Sequence, residues 1–246
     1  MSKKFFWGFS LAELLIALAI VGIIAAVTIP GVVTNYNQKA MLTQLQKNYV
    51  ELQETLLMLK TENYHKGLEG SILNNKGSKS VEETAGKFLK DYYKITQDCN
   101  TDTQPCFAEQ YADINSVTYT DFSCEGYSVN VASGAAICII PAEIFSAISI
   151  DTSTLEPSKV DVKNPAVVYI DVNGTKEPNI GGRDMFTFNI YNDYSIDEVD
   201  VNKSDSESST SPEDERNNLY NSNCLTSNVG KGCFGKILND NWQVNY

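Results

Sequence analysis

The sequence predicts an α+β protein. One long N-terminal helix, membrane-spanning in its first half, is followed by a head whose antiparallel sheet packs on the helix's second half. Three observations predict it. From Leu14 to Val33 twenty residues run without a charge, and as a helix they span about 30 Å, the hydrocarbon thickness of a bilayer. Beyond Pro30-Gly31, Leu42, Leu45, Tyr49, Leu52, Leu56 and Leu59 recur at steps of three and four, one stripe of an amphipathic helix. Later the period falls to two, in AVVYIDV at 166–172 and MFTFNIY at 185–191. Both are rich in β-branched and aromatic residues and suited to pair as antiparallel strands.

The 246 residues suffice for an anchor and one globular domain. A net charge of -12 argues against nucleic acid as a partner for the bulk of the chain. Much of the acid lies in 193–216, which reads as a solvated flexible loop. The six cysteines, Cys99, Cys106, Cys124, Cys138, Cys224 and Cys233, all follow the apolar run. Their even number on one side of a membrane segment points to disulfides in an oxidising compartment. Zinc would ask for shorter spacings and usually histidine, and His65 is the sole one. Fifteen connectivities are open. Local pairs (99 with 106, 124 with 138, 224 with 233) are the expectation, which spacing alone does not fix.

Lys3 and Lys4 before the apolar run predict a cytoplasmic N-terminus and an exported C-terminal part. The run exceeds the apolar core of a secretory signal, and no A-x-A site closes it. The small residue at its edge is Gly8, ahead of Phe9, Ser10, Leu11, Ala12 and Glu13. Taken alone, the Glu13 carboxylate either snorkels to the headgroups or finds a partner charge.

Over residues 3–33 this segment resembles the N-terminus of type IV prepilins and type II secretion pseudopilins. The lysines, Gly8, the aromatic Phe9, Glu13 four residues later, Gly22 and Pro30 carry the resemblance. It implies a leader, 1–8, cut by a membrane-embedded prepilin peptidase between Gly8 and Phe9, with methylation of the new Phe9 amine. It implies a transmembrane and filament-core helix at 9–33, an amphipathic continuation at 34–66 and a pilin-like head at 67–246. The partners implied are copies of the chain or other pilins, the assembly platform with its ATPase, and the membrane. The location implied is the inner membrane, then a filament with its heads in the periplasm or at the cell surface. In such a filament Glu13 of one subunit pairs with the Phe9 amine of the next, a charge costly alone and satisfied on docking. Ala17, Ala19, Gly22, Ala25 and Ala26 would let helices approach closely, and Gly22 and Pro30 would weaken the helix locally.

One helix, or two joined at Pro30, is expected from about Phe9 to His65, with Gly67 as its stop. His65 has no catalytic partner in any recognisable motif. Residues 81–95 read as a short amphipathic helix, 117–141 as a hairpin or strand pair that Cys124 and Cys138 are able to staple, and 143–150 as helix or strand. The last residues, 236–246, read as a short helix and strand. Loop 171–186 looks like a segment of many prepilin-like proteins. In it Asp171, Asn173, Asn179 and Asp184 offer oxygens to a calcium ion, against a turn in which the same residues serve the backbone. The resemblance also likens Cys224–Cys233 to the disulfide-bounded region of type IV pilins. No nucleophile–base set or GxSxG motif is present, so a non-enzymatic structural subunit is the expected function. The alternative is a single-pass anchored protein whose head binds a ligand or partner without polymerising.

Overall fold

The computed structural model describes residues 8, 10–64, 67–76, 79–115, 118–150, 157–202 and 210–246. Lys3, Lys4, Phe9, His65 and residues 203–209 of the acidic segment lie outside the described residues. The chain divides into two compact units, residues 1–40 and residues 41–246.

Helix α1 runs over Leu11–Glu62, 52 residues. It passes through Pro30 without a break, so the expected weakening ends no element there. Proline removes one N–H from the ladder, and the flanking threonines bond back along it: Thr28 Oγ1 to Ile24 O at 2.9 Å and Thr34 Oγ1 to Pro30 O at 3.0 Å. The first half is long and apolar enough to cross a membrane. From Leu45 the helix becomes one wall of the head. Leu45, Leu52, Leu56 and Leu59 are buried, with Leu42 and Tyr49 packed at the margin. Asn48 and Thr55 share this face and are buried without loss of hydrogen bonds. Asn48 Nδ2 donates to Gln44 O and Asn48 Oδ1 accepts from Ser133 Oγ, both at 2.8 Å, and Thr55 Oγ1 donates to Glu51 O at 2.7 Å.

The head is built on a six-stranded antiparallel sheet of β1 (Ile95–Asn100), β4 (Tyr127–Val131), β5 (Ala136–Ile140), β8 (Ala166–Asp171), β9 (Met185–Ile190) and β10 (Ile196–Asp197), in that spatial order. The strand pattern read at 166–172 and 185–191 gives β8 and β9, in register Ala166↔Ile190 to Asp171↔Met185. Alternation assigns the faces. Ile137, Ile139, Val168, Ile170, Phe186 and Phe188 join the core that contains α1. Ala136, Cys138, Tyr169 and Met185 join a second core with Phe107, Tyr111 and Phe122. That second layer holds the two-stranded pair of β2 (Gln110–Ala112) and β3 (Tyr119–Asp121). A separate ribbon, β6 (Glu143–Ile150) with β7 (Pro157–Asn164), leaves the sheet between β5 and β8.

Several expectations change. Residues 81–95 are not one α-helix. A π-turn at Glu82–Gly86 opens α2 (Lys87–Tyr92), and Ile95 already begins β1. A Cβ on Gly86 would stand 2.6 Å from the Tyr127 ring, so the close approach of this turn to the sheet needs that glycine. The hairpin at 117–141 is β4–β5, whereas β3 pairs back with β2. Residues 143–150 are strand. The acidic segment 193–216 is not a plain solvated loop. Tyr194, Ile196, Asp197, Glu198 and Val199 are buried, and α3 (Pro212–Asn223) begins within it. Near the C-terminus the helix α4 is Cys233–Asn239, and 240–246 forms no strand. Phe234 of α4 reaches Phe188 with ring centres 4.8 Å apart, and Tyr49 at 5.6 Å. The end of the chain thereby closes on the sheet and on α1.

Candidate functional site

Gly8 is exposed, and a Cβ built there would meet none of the described residues within 4 Å. Two residues on, α1 starts with a reciprocal cap. The Ser10 N–H donates to Glu13 Oε2 at 2.8 Å, and Ser10 Oγ accepts from the Glu13 N–H at 3.2 Å. Serine followed three residues later by glutamate is a capping box, which satisfies two of the helix's orphan donors at once. The motif Ser10-x-x-Glu13 stands in the sequence, where the charge of Glu13 in an apolar run masks its part in a cap.

Beyond the cap the helix surface is apolar on every side. Leu14, Leu15, Ile16, Leu18, Val21, Ile23, Val27 and Val32 are all at least half exposed. Glu13 is the one charged residue between Leu11 and Gln38. A helix hydrophobic all round belongs in a protein core or in lipid, and this stretch is in no core of its own unit.

Loop 171–186 is a buried polar junction. Asp171 and Asp184 have no solvent exposure. Asp171 Oδ2 accepts the Tyr111 hydroxyl at 2.5 Å, and Oδ1 accepts the Asn173 N–H at 3.1 Å. Asp184 Oδ2 accepts from the Asn179 N–H at 2.7 Å and Oδ1 from the Ile180 N–H at 2.6 Å. Asn173 Nδ2 donates to Lys176 O and Glu177 O. Burial, and then the charge of Asp184, hold the Asp171 carboxyl well above the usual range. Burial lifts Asp184 to about 6 against the pull of its backbone donors.

The four residues offered to calcium are therefore brought together on one loop, but both carboxylates spend their oxygens on internal donors. An ion would have to displace Tyr111 or the backbone N–H groups. Among the described residues, no three or more His, Cys, Asp or Glu side chains are grouped to hold a metal. The loop's demonstrable work is to join layers. Ala112 N donates to Asn179 O at 3.0 Å, Gly181 N to Ala112 O at 2.9 Å, and the Tyr246 hydroxyl to Gly182 O at 3.0 Å. Gly182 has φ +80°, and a Cβ there would lie 2.5 Å from Cys233 Sγ.

Disulfides join Cys99 to Cys106, Cys124 to Cys138 and Cys224 to Cys233. The last pair anchors the C-terminal module of α3 and α4, which two neighbouring acids fasten to the sheet. Asp197 pairs with Arg216, whose Nε lies 3.1 Å from each carboxylate oxygen. Glu198 accepts from the Gly232 N–H and, at 2.6 Å, from the Gly235 N–H. Burial pushes Glu198 up to about 8. Both acids fall in the stretch read as loop, where runs of like charge hide the two that turn inward.

Comparison with protein-family models, curated proteins and solved structures returned no match.

Proposed function

We propose that this chain is a structural subunit, a pilin or pseudopilin, of a type IV pilus-like or type II secretion filament. It is cut after Gly8 by a prepilin peptidase and methylated on Phe9. It waits in the inner membrane with a cytoplasmic N-terminus and an exported head, and it assembles with further copies or other pilins through its apolar helix. The observation that carries this reading is α1 itself: a continuous helix whose first half exposes apolar side chains all round and bears a single carboxylate, five residues after Gly8.

The physics of that carboxylate supports the reading. An acid in hydrocarbon costs on the order of 2.5–3.5 kcal/mol and acquires a partner. Cleavage after Gly8 would create an ammonium at Phe9, and a neighbouring subunit's ammonium would compensate Glu13 only in the correct register. The disulfides suit a head exposed to an oxidising compartment. The role is that of a building block, not a catalyst.

The test is mass spectrometry of the N-terminal peptide from the native envelope, combined with Glu13→Ala. A terminus at Phe9 carrying one methyl group, with normal cleavage but lost assembly in Glu13→Ala, is expected. A terminus at Met1 or Ser2, or unchanged filaments in the variant, would return the chain to a plain anchored protein.

A further inference from the structure

Asp197 and Glu198 are successive buried acids, and one arginine stands beside them. Arg216 of α3 is committed to Asp197, giving that carboxylate both its Nε and its Nη2. Its Nη1 donates to Asn239 Oδ1 of α4 at 3.0 Å. Among the described residues no cation forms an ion pair with Glu198. Its two oxygens accept backbone N–H groups at the start of α4, from Gly232 and Gly235. We propose that Glu198 is a proton-linked latch for the C-terminal module. Its carboxyl carries a proton while α4 is docked on the sheet and releases it to solvent when α4 lifts away, so the module loosens as pH rises. The latch belongs to the head alone and does not depend on the filament reading.

The packing explains why this acid has to be neutral. A Cβ on Gly235 would stand 2.9 Å from Arg216 Cγ and 3.2 Å from Glu198 Oε2, so the arginine stem, the α4 backbone and the carboxyl press on one another. A buried ion without a countercharge gives up its charge more readily than it stays ionised. Burial is the largest influence on Glu198; the N–H groups of Gly235 and Gly232 favour the anion, the charge of Asp197 opposes it, and Lys231 favours it more weakly. The hydroxyls of Tyr246 and Tyr191 are close enough to feel its charge. Lys163, Asp200 and Glu215 line the same cleft. Below pH 4.5 the docked and the open module both hold the proton, and above about 8 neither does. Between those values opening releases one proton, so the opening constant rises tenfold per pH unit. Opening takes Phe234 off Phe188 and Tyr49.

Hydrogen exchange on the full chain in detergent reads the latch, each amide rate being corrected for the intrinsic effect of pH. Protection of the α4 amides is expected to fall about tenfold per pH unit from pH 5 to 7. At each pH α4 should exchange well ahead of β5 and β8, because the module opens without the sheet. In Glu198→Gln, which has no proton to lose, the α4 slope is expected to vanish, whereas Asp184→Asn should keep it. Equal α4 protection at pH 5 and 7 in the wild-type chain would overturn the proposal. So would a slope that survives in Glu198→Gln, or α4 amides that exchange only together with those of β5 and β8. A second measurement needs no variant to fold. In wild-type chain carrying carbon-13 at its glutamate carboxyls, one resonance is expected to titrate well above the others, and glutamates all ionised by pH 6 would also overturn the proposal.

Discussion

Leu45, Leu52, Leu56 and Leu59 are at most 4 % exposed, whereas Leu11, Leu14, Leu15 and Leu18 are at least 51 % exposed. All eight stand on one helix. Helix propensity cannot tell them apart, since leucine is a good helix former in either place. What separates them is the company they keep. Around the later four, Gln46, Lys47, Gln53 and Glu54 supply a polar face, which leaves one stripe for the sheet to cover. Around the first four there is no polar face at all. The second half of α1 is stabilised by what its own chain packs on it, whereas the apolar side chains of the first half are left exposed among the described residues.

The comparison breaks most readily at the buried stripe. In the full chain held in detergent, Leu56→Ala should lower the head's unfolding free energy by about 2–5 kcal/mol. Leu18→Ala should leave it within about 0.5 kcal/mol, because Leu18 is 67 % exposed. Denaturant titration followed by tryptophan fluorescence reads both. Equal losses would mean that the two halves do not differ as described.

The next effect sharpens the contrast through pH, because the buried acids with raised pKa values, Asp171, Asp184 and Glu198, all belong to the head. A raised folded pKa stabilises the fold below the unfolded value and loses that contribution as pH rises through the folded one. The window for Asp184 is from 3.8 to about 6, and for Glu198 from 4.5 to about 8. Melting temperature should therefore fall between pH 4 and 8. Asp184 alone would contribute about 3 kcal/mol of that loss by pH 7. Asp184→Asn should melt lower at acid pH but with a flatter profile.

Replacing Cys224 and Cys233 together by serine should cost about 2–3 kcal/mol for a loop of this length. Hydrogen exchange should quicken in α3 and α4 and not along the first half of α1. The smallest effect belongs to the loop junction. Tyr111→Phe leaves Asp171 Oδ2 without its hydroxyl donor and should cost about 1–3 kcal/mol, measured by the same titration.

Much of this architecture was legible because periodicity carries it. The stripe from Leu42 to Leu59 and the alternation in β8 and β9 are local signals. What stayed illegible depends on partners distant in sequence. Asp197 reads as one acid among many until Arg216 is seen beside it, and Asp171 reads as an ion ligand until Tyr111, sixty residues earlier, is found on its oxygen. The ribbon at 143–150 has no period that separates helix from strand, and pairing with 157–164 decides it. At the start of α1 the cap from Ser10 was overlooked because Glu13 was read for its charge and not for its geometry.

The sheet has one consequence for the life of the chain. From one edge to the other, β1, β4, β5, β8, β9 and β10 stand in the order in which a ribosome makes them. Each new strand finds its neighbour already in place, so no later strand has to be inserted between two earlier ones. Last to emerge is α4, whose Phe234 lies against Phe188. A chain stopped before Cys233 would hold a finished sheet packed on α1 but with Phe188 lacking its Phe234 partner.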